Sequence, residues 1–112
     1  MEITHRTSNQ IDILELDGRF DAYEVPTVVK WFDDNANAKD VIVNLSGVGF
    51  IDSSGLSTLV KGLKHCRQNK GELYLSNLQQ ATLIIFELTR LDKAFKIFET
   101  ESDAIAAFAT DQ

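Results

Sequence analysis

The residues with the most chemistry to offer lie in one stretch, Asp52-Ser53-Ser54-Gly55. It sets a carboxylate beside two hydroxyls, a group that can take backbone hydrogen bonds, sit next to an anion, or supply a nucleophile where a base is near. The nucleophile reading fails on the base. A catalytic serine needs a histidine or an equivalent group within reach, and the chain holds only His5 and His65. The first falls on an opening strand and the second far along the helix that follows Ser53. Two histidines and the single Cys66 lack metal-ligand spacing. Gly47 and Gly49 are not followed by the Gly-Lys-Ser/Thr of a phosphate loop. A receiver domain, phosphorylated on aspartate, needs an acidic pair after an early strand and a lysine after a late one, which Asp52 alone does not provide. The residues point to a protein that is not an enzyme and uses neither metal nor cofactor.

The elements around the stretch explain its position. Val41, Ile42, Val43 and Leu45 form a short, nearly continuous apolar run, which suits a strand covered on both faces in the middle of a sheet. Leu56, Leu59, Val60 and Leu63 recur at helical spacing and share one stripe. Small polar residues just before such a stripe mark a helix N-terminus, with Asp52 or Ser53 as the cap. The unit is strand, short loop, helix. In an open α/β sheet, ligands and functional side chains gather at that mouth, where free N–H groups and the helix dipole favour an anion. A Ser53 that caps the helix presents its hydroxyl at the surface.

The rest of the chain supplies the frame. Residues 2–6 and 10–17 read as an antiparallel hairpin joined by Thr7-Ser8-Asn9. Gly18 breaks the second strand and leaves Asp17 and Asp21 on either side of a turn. A first helix runs from Tyr23 or Glu24 to Asp34, with Val25, Val28, Val29 and Phe32 as its buried stripe and Pro26 in its first turn. Trp31 lies off the stripe, covering a core edge or joining a contact surface. The second helix covers Ser54 to Asn69. Lys61, Lys64, His65, Arg67 and Lys70 crowd toward its C-terminal end, where cations suit the dipole; a docking patch for an acidic partner is the other reading. Gly71 caps or turns the chain before a strand at Leu73-Tyr74-Leu75. Asn77 with Gln80 resembles a capping box for a third helix over 79–88. The apolar content of that helix, Leu83, Ile84, Ile85, Phe86 and Leu88, is wide for a solvent helix and predicts a well-buried element, with a partner facing part of it as the other reading. A strand near Phe95–Phe98 leads to a final helix, with Thr100 and Asp103 as a capping box and Ala104, Ile105 and Phe108 facing inward. The order β-β-α-β-α-β-α-β-α predicts an α/β fold, with a mixed, mostly parallel sheet of about five strands and about four helices.

Composition bounds the function. A chain of 112 residues, 44% hydrophobic and 25% charged, is one globular domain spanning 1–112. A net charge of −6 repels phosphate backbones, so nucleic acid is excluded as a partner and a protein is favoured. No apolar run reaches membrane length and the first residues do not read as a signal peptide, so the expected location is the cytoplasm. Cys66 has no partner for an internal disulfide and extends the second helix's stripe, as a buried structural thiol does. A monomer is the default for so small an acidic domain.

Phe50-Ile51-Asp52-Ser53-Ser54-Gly55-Leu56 resembles the signature of STAS domains, most closely the small bacterial anti-sigma factor antagonists. Leu16-Asp17-Gly18-Arg19-Phe20-Asp21-Ala22 is similar to that family's first strand-to-helix junction. Leu88-Thr89-Arg90-Leu91-Asp92-Lys93-Ala94-Phe95, through Ile97-Phe98, is similar to its late segment. The resemblance covers nearly the whole chain and implies the STAS fold. It also implies a partner-switching role in transcription control. The unphosphorylated form would bind a serine kinase that doubles as anti-sigma factor, phosphorylation of Ser53 would end that complex, and a serine phosphatase would restore it. Ser54 would be a secondary site. Asp21, Asp52, Ser53, Ser54 and Gly55 would form the partner-binding surface, although Asp21 reads equally as a helix-start cap. A phosphate adds about −1.5 to −2 charges. The helix dipole favours it by about 0.3–1 kcal/mol, while Asp52 at about 5 Å opposes it by roughly 3 kcal/mol at an effective dielectric near 20. Local repulsion wins, so the surface potential changes while the loop stays in place. The alternative within the family is an accessory subunit of an ABC-type lipid transport complex that docks on an ATPase and is never phosphorylated.

Overall fold

A computed structural model describes residues 1–111; Gln112, the last residue of the expected domain, lies outside them. The elements are β1 (Glu2–Ser8), β2 (Ile11–Asp17), α1 (Val25–Asp34), β3 (Asp40–Gly47), α2 (Ser53–Gln68), β4 (Glu72–Ser76), α3 (Gln80–Leu88), a 3-10 turn (Leu91–Lys93), β5 (Lys96–Phe98) and α4 (Glu101–Asp111). The five strands form one mixed sheet in the order β1-β2-β3-β4-β5. Only the β1–β2 pair is antiparallel. Element order, strand number and sheet type match the expectation from periodicity.

Strand alternation sorts the core into two layers. Leu14 and Leu16 of β2, Val41, Val43 and Leu45 of β3, and Leu73 and Leu75 of β4 face one side. There they meet Val28 and Phe32 of α1, Leu56, Leu59, Leu63 and Cys66 of α2, and Phe86 of α3. Ile11, Ile13, Ile42 and Tyr74 face the other side, against Ala104 and Phe108 of α4. With parallel strands succeeding one another in one direction, crossovers of a single hand place all three connecting helices on the same face. β3 is buried along almost its whole length, as a central strand covered on both sides must be. Cys66 is fully buried, and that burial, with the carboxylates of Asp40, Glu72 and Asp12, pushes its thiol up to about 12. It is therefore a packing group, inert at neutral pH.

Several local expectations are corrected. The hairpin turns at Asn9-Gln10, not Thr7-Ser8-Asn9. Both residues have positive φ, 53° and 67°, as a two-residue type I′ turn requires. Val29 is 38% exposed, because only the Val28–Phe32 edge of α1 meets α2 and the sheet. Trp31 covers a core edge, its ring against His5 and Phe32 with centroids 5.3 and 5.1 Å apart. Asn77 and Gln80 do not form a capping box. Asn77 sits at φ 60° three residues before the start, Gln79 takes the N-cap position, and no side chain caps α3. The proposed burial of α3 also fails. It buries Thr82 and Phe86 but leaves Leu88 76% and Ile84 41% exposed, since the sheet ends at the short β5 beneath it. Thr100 does cap α4, its Oγ1 accepting from the Asp103 N–H at 3.1 Å.

Candidate functional site

Two loops at the C-terminal ends of the parallel strands build the site. The loop after β2 and the loop after β3 are joined backbone to backbone. The Phe20 N–H donates to the Phe50 carbonyl at 2.9 Å, and the Asp52 N–H donates to the Phe20 carbonyl at 3.2 Å, around a Phe20–Ile51 bridge. Phe20 and Ile51 are buried, so the two loops share an apolar anchor under the surface. Asp21 and Asp52 are thereby carried to the same end of the molecule, one residue from each junction.

The cap left open by the spacing is Asp52. Its Oδ1 accepts from the Gly55 N–H at 3.0 Å with the backbone extended, and Ser53 becomes the first residue of α2, one position before the expected start. The Ser53 side chain is exposed, while Ser54 is half-buried, its carbonyl accepting from the Thr58 hydroxyl at 2.8 Å. Asp21 is also a capping group. Its Oδ1 accepts from the Tyr23 and Glu24 N–H groups at 3.1 and 3.3 Å, and Arg19 Nε lies 3.5 Å from its Oδ2. Gly55, expected on the partner-facing surface, is instead buried. A Cβ there would lie 2.6 Å from the Phe20 carbonyl oxygen and 2.8 Å from Ile51 Cγ1. Gly55 therefore lets the two loops close on each other and offers no surface of its own.

Around Ser53 the surface combines apolar and cationic groups. A shallow groove of about 420 Å³ runs from Ser53 past Leu56, Ser57 and Val60, with Leu91 on its far wall and Lys61 and Lys64 at its rim. On the loop side, Phe50 is 40% exposed beneath the Arg19 guanidinium, 3.9 Å from the ring centroid, and Tyr23 is 91% exposed. Sequence reasoning missed the Arg19–Phe50 stack and the exposed Tyr23. An exposed aromatic in a loop has no periodicity to reveal it, and the Arg19–Phe50 stack depends on the pairing of two loops distant in sequence.

The histidines stand away from Ser53. His65 lies twelve residues further along α2, about 18 Å at the helical rise, with its ring edge-on to Phe32. His5 pairs across the hairpin with Asp12, Nε2 to Oδ1 2.7 Å. Among the described residues no group of three or more His, Cys, Asp or Glu could hold a metal ion, and no helix is long and apolar enough to cross a membrane. The arrangement displays a hydroxyl at a helix mouth, on a frame pinned by two carboxylate caps.

Comparison with known proteins identifies the family and the fold. A family model of the STAS domain matches residues 2–104. The anti-sigma-B factor antagonist of Listeria monocytogenes is 30% identical over 105 residues, covering 92% of this chain and 91% of that protein. Among solved structures, an anti-sigma factor antagonist from Mycobacterium paratuberculosis superposes with a TM-score of 0.86 at 22% identity, over 96% of this chain and 93% of the other. The anti-sigma factor antagonist SpoIIAA in its unphosphorylated form gives 0.80 at 18% identity, over 93% of each chain. The phosphorylated form of SpoIIAA from Bacillus gives 0.67 at 18% identity, over 95% and 98%. These structural likenesses establish the fold.

Proposed function

Because the chain belongs to the STAS domain family, with relatives named anti-sigma factor antagonists, we propose that it is a phosphorylation-controlled protein-binding switch of that kind. Unphosphorylated, it binds a serine kinase that acts as an anti-sigma factor in the cytoplasm. Phosphorylation of Ser53 by that kinase releases it, and a serine phosphatase resets it. It performs no catalysis of its own. The observation that carries this reading is the exposed Ser53 hydroxyl on the first residue of α2, beside the Asp52 cap. The solution of SpoIIAA in both phosphorylated and unphosphorylated forms supports carrying the modification over to the same fold.

The mechanism is electrostatic. Asp52 is held by the Gly55 N–H, so it stays in place when a phosphate arrives next door, and the mouth gains about −1.5 to −2 charges without refolding. A partner seated over Ser53, on the apolar groove of Leu56, Val60 and Leu91, then faces a buried like charge or an unpaired one and leaves. Asp21, Asp52 and Ser54 belong to this docking surface, with Gly55 shaping it from beneath.

Phosphopeptide mass spectrometry on protein from its own cells, under several growth conditions, tests the reading. The expected result is phosphate on Ser53 that varies with condition. In pull-downs of the kinase, Ser53→Ala should bind constitutively and Ser53→Asp about tenfold or more weakly than wild type, a loss on the scale of one broken charge complementarity. Ser53 unmodified in every condition, with a stable transport ATPase co-purifying, would replace this reading with the accessory-subunit one.

A further inference from the structure

On the other side of the 3-10 turn from the Ser53 groove lies a second groove of opposite character. Leu91 lines the first, and its neighbour Asp92 lines the second. The second groove, about 320 Å³, runs between α3 and β5, walled by Leu78, Leu83, Ile97 and Phe98. Glu87, one turn beyond Leu83, Asp92, and Glu99, just past β5, place three carboxylates around it. The ion pairs among the described residues all involve other groups. One carboxylate oxygen, Asp92 Oδ1, is buried with no hydrogen-bond partner, and so is Asn77 Oδ1, next along the chain from Leu78. The adjoining flank of α3 carries the exposed Ile84 and Leu88.

Apolar walls and an acidic rim define what fits. An acidic segment would add like charge to the rim, and a neutral one would leave the three carboxylate charges uncompensated. A purely apolar one would desolvate three carboxylates without compensation. A cationic side chain with an apolar stem meets every requirement at once. β5 is only three residues long, too short for recognition by strand addition alone, so side-chain chemistry must carry the contact.

We propose that the α3–β5 groove docks a basic segment of a partner protein, in which arginine or lysine alternates with apolar residues. The cation's methylene stem lies along Leu83 and Phe98, and its head sits among Glu87, Asp92 and Glu99. The flanking apolar residues cover Ile84 and Leu88. This surface is separate from Ser53, so its occupancy does not depend on the phosphorylation state.

The test is a titration of the ¹⁵N-labelled full chain with a hexapeptide of alternating leucine and arginine, followed by amide chemical shifts. Saturable shifts at Leu83, Glu87, Asp92 and Phe98 are expected, with no saturable response to the matching leucine–glutamate peptide. Glu87 and Glu99 are both exposed, so the Glu87→Gln/Glu99→Gln double variant should fold normally and bind the arginine peptide about three- to tenfold more weakly, two surface charges' worth. Ser53→Asp should bind it as wild type does, which keeps this proposal separate from the switch. Absence of saturable binding, equal shifts around Asp33 and Asp34, or unchanged affinity in the double variant would each overturn it. So would a concentration-dependent dimer burying Ile84 and Leu88, which would make a second copy the occupant.

Discussion

At the scale of single residues, the site depends on contacts of a few ångströms. Asp52 rather than Ser53 caps α2, which leaves the Ser53 hydroxyl uncommitted to its own helix. Gly55 permits the Phe20 carbonyl to lie against the first turn of α2, where a methyl group would stand 2.6 Å away. Gly55→Ala should therefore push the two loops apart and cost about 1–3 kcal/mol, read as a lower urea midpoint with an unchanged m-value. A cost below about 0.5 kcal/mol, the level of a neutral surface change, would mean that the junction is looser than these distances imply. The motif Asp-Ser-Ser-Gly was legible in the sequence as a helix mouth. Which residue capped it, and that its glycine is buried, were not, because both depend on where the Phe20 loop lies.

Elements end where backbone groups run out of partners, and α2 shows how. Its C-terminus closes with the Gly71 N–H donating to the Cys66 carbonyl at 2.8 Å and the Lys70 N–H to the Arg67 carbonyl at 3.0 Å. This double bond pattern needs a left-handed residue at the position that Lys70 fills with φ 68°. Gly71, the residue that the sequence marks as the turn, does not supply that conformation. It is required because a Cβ there would fall 1.9 Å from the Lys39 carbonyl oxygen. Lys70→Gly should then stabilise the protein by about 0.5–1 kcal/mol, the left-handed strain relieved less the added freedom of the unfolded chain, and thermal melting would show it as a higher Tm. Helical periodicity located α2 to within a residue at each end. It could not locate the strained position, since Lys70-Gly71 admits either residue as the turn and only the approach of the strand β3 from Lys39 decides.

For the molecule as a whole, one polar network ties the chain's two ends across the sheet. Glu101, at the start of α4, takes hydrogen bonds from Arg6 of β1 at 2.7 Å and from Asn44 of β3 at 2.9 Å. Burial alone would favour the neutral carboxyl, but these two donors and the Arg6 charge together outweigh it and hold Glu101 below the usual carboxylate range of about 4.5. A carboxyl lowered on folding stabilises the protein above its unfolded pKa, and the contribution disappears as pH falls through the lower folded value. Glu101→Gln should therefore cost about 0.5–1.5 kcal/mol at pH 7, discounted for the partly exposed Arg6. The gap to wild type should narrow only below about pH 4.5. Urea unfolding at pH 7, 5 and 3.5 measures it, and a gap independent of pH would mean that Glu101 contributes by packing alone.

The sequence by itself determined the order and type of the elements, the central strand covered on both faces, the buried Cys66 and the helix mouth at Asp52-Ser53. Each of these depends on residues that are neighbours along the chain: alternation for strands, the 3.6-residue stripe for helices, small polar residues at caps. Only the tertiary structure decided what is exposed. Val29, Ile84 and Leu88 carry the same apolar pattern as their buried neighbours, and they lie open because no element covers α1 on that edge or α3 beyond the last short strand. The Arg19–Phe50 stack, the buried Gly55 and the acid-rimmed groove of Asp92 arise from segments far apart in sequence. Exposure and cross-loop contact are properties of the assembled layers, and no local pattern encodes them.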